Sequence, residues 1–371
     1  MNLEEARNEI RAADAEMAAQ FLRRMHAVKE VAAYKREHGL PVFDREQEER
    51  VVHRSLEWID DPELRDYFVE FLQNTMTVSR RYQHRLMDGM RIAYSGVEGA
   101  FAHIAAKRIF PGGTPMSYPS FEEAYNAVSC GDCDCAVLPM ENSYAGEVGQ
   151  VMDLMFSGSL SVNGIYDLRI SQNLLGIPGA ALSDIQTVVS HPQALGQCQP
   201  YLRRHNLAEK ESSNTARAAK LVMERQDVHL AAIASAETAA LYGLQILDRD
   251  INESKFNTTR FAVFSRAENT SPGQRDSSVF LLMFTVRENV AGALAKAINV
   301  IGTYGFNMRV LRSHPLRTLP WQYYFYVEAE GDDTSENGRH MVEALRQECV
   351  MLKVVGRFHA GALEEGREET P

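Results

Sequence analysis

The sequence predicts a multidomain chain: an all-α helical segment, then an α/β segment, then a small α+β module. Three observations carry this. Residues 1–89 show helical periodicity alone, short apolar runs alternate with helical patterns from Met90 onward, and the last part reads strand-helix-strand-strand-helix-strand. A chain of 371 residues is too long for one ordinary core, so the domains are placed at 1–89, 90–266 and 276–360.

Residues 3–38 read as one long helix, because Ile10, Ala13, Met17, Phe21, Met25, Val28 and Val31 recur at spacings of three or four. Gly39 and Pro41 end it. A second helix starts after Asp44, and a third runs from about Pro62 to Leu86. Long helices with short connections imply a bundle or an intertwined helical dimer. A plain dimerisation coil is the simpler alternative.

In the α/β segment, Ile92-Ala93-Tyr94, Ala136-Val137-Leu138, Thr187-Val188-Val189 and Ala231-Ala232-Ile233 read as strands, and Ala216 to Glu224 as a helix. Ala267 to Gln274 is a polar linker rich in turn formers. Beyond it come a strand at Ser278–Val286, a helix at Ala291–Tyr304, and strands near Phe306–Ser313 and Trp321–Ala329. A helix near Thr334–Gln347 and a strand near Val350–Phe358 complete a ferredoxin-like order. The acidic tail after Gly361 reads as disordered.

Composition excludes several classes. A formal charge of -11 argues against nucleic acid as partner, though a few Arg and Lys can still build a local anion site. No run approaches about 20 apolar residues, so no membrane span is expected. The acidic start lacks a secretory pattern, and five cysteines read as reduced thiols, which together point to the cytoplasm. Cys130, Cys133 and Cys135 raise a metal reading, but no second ligand pair follows at zinc spacing, so no metal or other cofactor is expected.

Arg24 and Lys35 lie eleven residues apart, close to three helical turns, and so share a face of the first helix. Asp44 and Glu48, and Ser79 and Gln83, are i,i+4 neighbours on the next two helices. Taken singly, such pairs are solvated charge. As the ordered set Arg7, Arg24, Lys35, Asp44, Glu48, Ser79 and Gln83, with the loop Gly39 to Asp44, they resemble the all-helical chorismate mutases over about residues 3–88. Gln47 departs from that pattern, standing where the family usually has an arginine.

The resemblance implies a pericyclic rearrangement, in which catalysis means holding a compact conformer and stabilising charge on the breaking ether oxygen. It assigns Arg24 to one substrate carboxylate and Arg7, from a partner subunit, to another. Lys35 and Gln83 would donate to the ether oxygen. Glu48, with Asp44, would hold the ring hydroxyl, and Ser79 would orient.

Residues 91–265 resemble the prephenate dehydratase catalytic domain. The matching pieces are Gly96 to Phe101, Leu138 to Ser143, Ser190 to Cys198, Asn214-Thr215-Ala216 and Asn257 to Phe261. A single Gly-x-x-Gly or Thr-Arg-Phe would be structural; five in order are specific. The family fold is a two-lobed, periplasmic-binding-protein-like α/β domain, and chain crossings near Tyr166 and Gly243 suit it. By resemblance Thr259 donates to the departing hydroxyl, Arg260 holds a carboxylate, and Asn142, Ser190 and Gln197 position the substrate. His191 is read as a loop-structuring residue and Phe261 as core.

Residues 277–360 resemble an ACT regulatory domain, which after a dehydratase implies feedback binding of phenylalanine. Gly292-Ala293-Leu294 matches its first ligand motif, whereas Arg312-Ser313-His314-Pro315 replaces the usual Glu-Ser-Arg-Pro. The stretch from Trp321 to Phe325 reads as a strand with an aromatic core face. The whole resembles a bifunctional chorismate mutase–prephenate dehydratase, a homodimer or higher homo-oligomer acting on chorismate and prephenate. Two other readings stay open: a dehydratase with a purely structural helical segment, and a non-catalytic amino-acid-binding regulator. Arogenate is also open as the substrate.

Overall fold

The computed structural model describes residues 1–268, 279–287, 290–317, 320–358 and 360–362. The linker from Asn269 to Gln274 and the tail beyond Ala362 lie outside the described residues. The chain divides into a helical unit, Met1–Arg91, and a larger unit, Ile92–Pro371. Among the described residues no helix is long and apolar enough to cross a membrane.

In the helical unit, α1 (Leu3–Glu37) opens on a capping box between Asn2 and Glu5, which satisfies amides that have no intrahelical partner. α2 (Arg45–Ser55) runs into one 3-10 turn, Leu56–Trp58, and α3 (Arg65–Asp88) packs on both α1 and α2. α3 begins later than expected because Asp61 turns back to accept from the Glu63 amide at 2.9 Å, holding Pro62 in a turn. The periodicity of α1 is right, but only Val28 and Ala32 are buried; Ile10, Met17 and Phe21 are 61%, 49% and 44% exposed. One chain therefore leaves the first half of the stripe uncovered.

The larger unit starts with β1 (Arg91–Ser95), α4 (Phe101–Ile109), β2 (Thr114–Tyr118), α5 (Phe121–Cys130), β3 (Cys135–Asn142), β4 (Gly146–Glu147), α6 (Gly149–Ser157) and β5 (Ser161–Arg169). The chain then crosses to a second lobe. That lobe holds β6 (Asn173–Gly176), β7 (Thr187–Ser190), α7 (Pro192–Gln197), α8 (Gln199–Arg204), β8 (Ala208–Glu211), α9 (Thr215–Arg225), β9 (Leu230–Ala234), α10 (Ala236–Tyr242) and β10 (Gln245–Asp248). Its sheet runs β10-β6-β9-β7-β8. β11 (Thr258–Ser265) returns to the first lobe between β3 and β5.

Both crossings fall later than expected. β5 runs through Tyr166 to Arg169, and Gly243, at φ +64, ends α10 rather than leaving the lobe. The chain passes between lobes at Ile170–Gln172 and again at Arg249–Asn257, and these passages carry site residues.

The remaining elements are β12 (Val279–Val286), α11 (Ala293–Thr303), β13 (Asn307–Pro315), β14 (Tyr323–Glu330), α12 (Glu336–Glu348), β15 (Cys349–Phe358) and β16 (Ala360–Ala362). The first-lobe sheet continues into them in the order β13-β14-β12-β15-β5-β11-β3-β1-β2. β12 is buried on both faces, which explains its unbroken apolar run. Phe280, Leu282 and Phe284 pack with Ala297, Ile301, Met341 and Leu345 of α11 and α12. Leu281 and Met283, with Tyr324 and Tyr326, join Tyr125, Met140, Met155 and Phe264 of the first lobe in one core. Trp321, expected in a strand, precedes β14 at φ +62 and is 85% exposed.

Candidate functional site

The helical unit gathers polar side chains between its three helices. Ser79 and Gln83 are buried on α3, and the Arg24 guanidinium donates to Ser79 Oγ and, at 3.4 Å, to the Thr75 carbonyl. Burial lowers the pKa of Arg24, and the charge of Glu48 opposes that effect. Lys35 Nζ donates to the Val42 carbonyl at 2.6 Å, closing the loop between α1 and α2 onto α1. Gln83 Oε1 is buried with no protein partner.

Two expected members stand apart. Asp44 does not join Glu48: its carboxylate caps α2, accepting from the Gln47 amide at 3.0 Å, because the first-turn amides need an acceptor. Arg7 is exposed, and seventeen residues up the helix places it roughly 25 Å from Arg24. One residue was missed. Arg80 pairs with Glu48, and no periodicity or spacing in the sequence marks it.

In the larger unit, a cavity of about 200 Å³ lies between the lobes, lined by Asn142, Thr259, Gln197, Gln172 and residues at the start of three helices. Asn142, at the end of β3, faces Thr259 across the β3–β11 pairing. Its Oδ1 accepts from the Tyr144 and Ala145 amides at 3.0 and 2.9 Å, which fixes the side-chain amide. Its Nδ2 then donates to Asn257 Oδ1 at 2.8 Å and to Thr259 Oγ1 at 2.9 Å. With Oγ1 accepting, the Thr259 proton is left to donate into the cavity.

Ala100 and Phe101 begin α4, His191 and Gln193 begin α7, and Asn214 and Thr215 begin α9. Helix amino termini carry unpaired N–H groups and partial positive charge, a natural seat for carboxylates. The α4 start, which borders the cavity, has no side-chain cap for its first amides. Gly99 makes the approach possible: it sits at φ +86, and an added Cβ would meet Leu241 at 3.0 Å. His191 caps α7, its Nδ1 accepting from the Gln193 amide at 3.2 Å, and it also borders the cavity.

Arg260 is a correction to the sequence reading. It points away from the cleft, donating to both oxygens of Glu328 on β14 at 2.7 and 3.0 Å, with Glu141 at 3.4 Å and Asp167 at 3.7 Å. Burial alone would lower its pKa, but Glu328 more than offsets this and leaves it raised. Burial likewise raises the Asp167 pKa, against the pull of Arg260. Helix ends, which do border the cavity, are the positive features left to it among the described lining residues.

Ser190 is a second correction. It is fully buried, and its hydroxyl donates to the Ile233 carbonyl at 2.7 Å, tying β7 to β9 rather than lining the cavity. Gln197 does line it, with Gln172 Nε2 3.4 Å from its Oε1. Gln172 was missed, because it lies in a chain crossing that was placed too early. Asn257 opens one of the matching motifs, and its hydrogen bond with Asn142 gives it a part in holding that side chain. Cys198, buried behind Gln197, has its thiol pushed up to about 12 by desolvation and stays protonated.

The third group divides as well. Gly292, at φ +86, starts α11 ahead of Ala293 and Leu294. Arg312 and His314 are turned toward the first lobe: Arg312 pairs with Glu141 and Glu147, and His314 lies 3.5 Å from Glu147 and Asp153. These two are thus engaged between modules rather than open to a ligand, while Ser313 and Pro315 alternate to the other, exposed face.

The prephenate dehydratase family model matches residues 92–269, and the chorismate mutase type II model matches residues 6–84. The chain is 33% identical to a bifunctional chorismate mutase/prephenate dehydratase of Escherichia coli K12, over 72% of this chain and 70% of that one. It is 32% identical to arogenate dehydratase/prephenate dehydratase 2 of Arabidopsis thaliana, over 72% of each. Among solved structures, prephenate dehydratase of Arthrobacter aurescens in complex with L-Phe is 25% identical at a TM-score of 0.66, covering 72% of this chain and 89% of that one.

Proposed function

Since the chain belongs to the prephenate dehydratase family and carries a type II chorismate mutase segment ahead of the dehydratase, we propose how its two sites divide the work. It is a bifunctional enzyme of phenylalanine biosynthesis. Chorismate is rearranged to prephenate, and prephenate loses carbon dioxide and water to give phenylpyruvate.

In the mutase pocket, Arg24 holds one carboxylate of chorismate and Ser79 fixes Arg24. Lys35 and Gln83 donate to the ether oxygen, and Glu48 accepts from the ring hydroxyl. Arg7 reaches the second carboxylate from another copy of the chain. The uncovered apolar stripe of α1 supports a homodimer, since Ile10, Met17 and Phe21 want a covering surface.

In the dehydratase cleft, the carboxylates of prephenate sit at the starts of α4 and α9, with Gln197 and Gln172 positioning the ring. Cleavage of the bond to the ring carboxylate releases carbon dioxide, its electron pair enters the ring, and the hydroxyl opposite leaves as water. Thr259 donates to that oxygen as the bond breaks. The single observation that carries this reading is the Asn142–Thr259 hydrogen bond, which aims the threonine proton into the cavity. Among the described residues that line the cavity none is acidic, so the reading favours prephenate over arogenate, whose ammonium would want a counter-ion.

The segment from β12 to β15 is a ferredoxin-like ACT domain that binds phenylalanine, with domain limits near 1–89, 90–266 and 276–360. Gly292, Ala293 and Leu294 receive the effector at the start of α11, where the amides have no side-chain cap. The deciding experiment is ultraviolet detection of phenylpyruvate from purified protein given chorismate alone. Phenylpyruvate formation that falls on adding phenylalanine is the expected result; no phenylpyruvate from chorismate would overturn the assignment.

A further inference from the structure

Arg80 stands one residue after Ser79 on α3, and Glu48 lies in the first turn of α2. Their side chains are 27% and 25% exposed, so each is mostly withdrawn from solvent. Arg80 is held from three sides. Nη1 donates to Glu48 Oε2, Nη2 donates to Thr77 Oγ1 at 2.9 Å, and the guanidinium lies 5.2 Å from the centre of the Phe43 ring. A planar cation fixed by two hydrogen bonds and an aromatic face is not a freely solvated charge.

A helix advances about 100° per residue, so Arg80 borders the α3 face that carries Met76, Ser79 and Gln83, all three buried. Gln47 cannot do the same work. It is exposed, and its amide oxygen accepts from Arg50 at 3.1 Å. We propose that Arg80 is the positioning residue of the mutase pocket, fixing the Glu48 carboxylate from α3 and supplying the cation that position 47 lacks. With Oε2 held, Oε1 is left to accept from the ring hydroxyl of chorismate. This inference rests on the mutase reading of the helical unit.

The test compares full-length wild type, Arg80→Ala, Arg80→Lys, Glu48→Gln and the Arg80→Ala/Glu48→Gln double variant on chorismate, with prephenate turnover as the control for folding. Arg80→Ala should lower kcat/KM for chorismate about 10- to 100-fold, the scale of a lost charge-assisted hydrogen bond. Arg80→Lys should fall between, and prephenate turnover should not change. In the Glu48→Gln background the alanine substitution should change kcat/KM by less than about twofold, because its effect passes through Glu48. Arg80→Ala matching wild type, or losing the same factor in both backgrounds, overturns the role. Wild type that consumes prephenate but not chorismate would overturn the mutase reading itself.

Discussion

Thr259 and Arg260 are neighbours in β11 that serve opposite faces of one sheet. Thr259 meets Asn142 at the cleft, and Arg260 meets Glu328 of β14 on the other side. Glu141, the residue before Asn142, divides in the same way, pairing with Arg260 and Arg312. Two adjacent strand positions thus hold the cleft hydroxyl and the junction with the C-terminal module. Strand alternation makes this arrangement unavoidable once Thr259 faces the cleft.

Replacing Thr259 by alanine should therefore remove dehydration without disturbing the fold. The hydroxyl lost is the proposed donor to substrate, and Asn142 keeps its bonds to Asn257, Tyr144 and Ala145. Dehydratase kcat should fall by about 10² or more, the scale of lost acid catalysis. Chorismate turnover should be unaffected. Parallel assays on the same purified variant test this, and full dehydratase turnover would dismiss Thr259 as the donor.

Arg260→Ala should behave differently, as a structural lesion. Glu328 is 3% exposed and would be left a buried charge, with Tyr326 as its remaining side-chain hydrogen-bond partner among the described residues. Breaking such a pair from one side costs about 3–5 kcal/mol, so denaturant unfolding of the variant should show a loss on that order. The Arg260→Ala/Glu328→Gln double variant should recover part of it. KM for prephenate, measured on folded protein, should stay within about threefold of wild type. A tenfold rise in KM with stability intact would return Arg260 to the substrate.

These contrasts mark what the sequence could and could not tell. The helical, α/β and C-terminal segments were legible because apolar period and turn residues are local properties. Asn142 and Thr259, named from separate ordered motifs, meet across the β3–β11 pairing at the cavity. The direction of Arg260 was open to the same alternation once Thr259 faced the cleft, but the motif resemblance gave both neighbours to the substrate, and the register shift between Arg260 and Phe261 left the buried Phe261 no guide to either. Ser190 ends a strand buried on all sides, and only the backbone of β9 shows what its hydroxyl meets. The α1 stripe announced burial but not the surface that would provide it.

Ser190→Ala should accordingly cost stability and little catalysis. It removes one neutral hydrogen bond to the Ile233 carbonyl, a loss of about 1 kcal/mol in unfolding free energy. The KM for prephenate should move by less than about twofold. Steady-state kinetics beside a denaturant titration would distinguish this from a direct contact, for which KM would rise while the unfolding midpoint held.

His103 sets a pH dependence for the larger unit. It is 7% exposed on α4, its ring lies tilted 5.2 Å from that of Tyr94, and its Nδ1 accepts from the Gly99 amide at 3.1 Å, so the neutral ring carries its proton on Nε2. Burial lowers its pKa, Glu98 opposes that shift and Lys107 adds to it. The unfolded chain takes up this proton near pH 6.5, whereas the folded protein resists it. The contribution is therefore complete above about pH 6.5 and is lost as pH falls from there toward the lower folded value. His103→Gln, which keeps an acceptor for Gly99 but cannot titrate, should flatten this part of the profile. Denaturant unfolding of wild type and variant at about pH 7.5 and 5.5 isolates the difference, since every other group is common to both. Equal losses of stability in the two proteins over that interval would show that His103 takes up its proton as readily folded as unfolded.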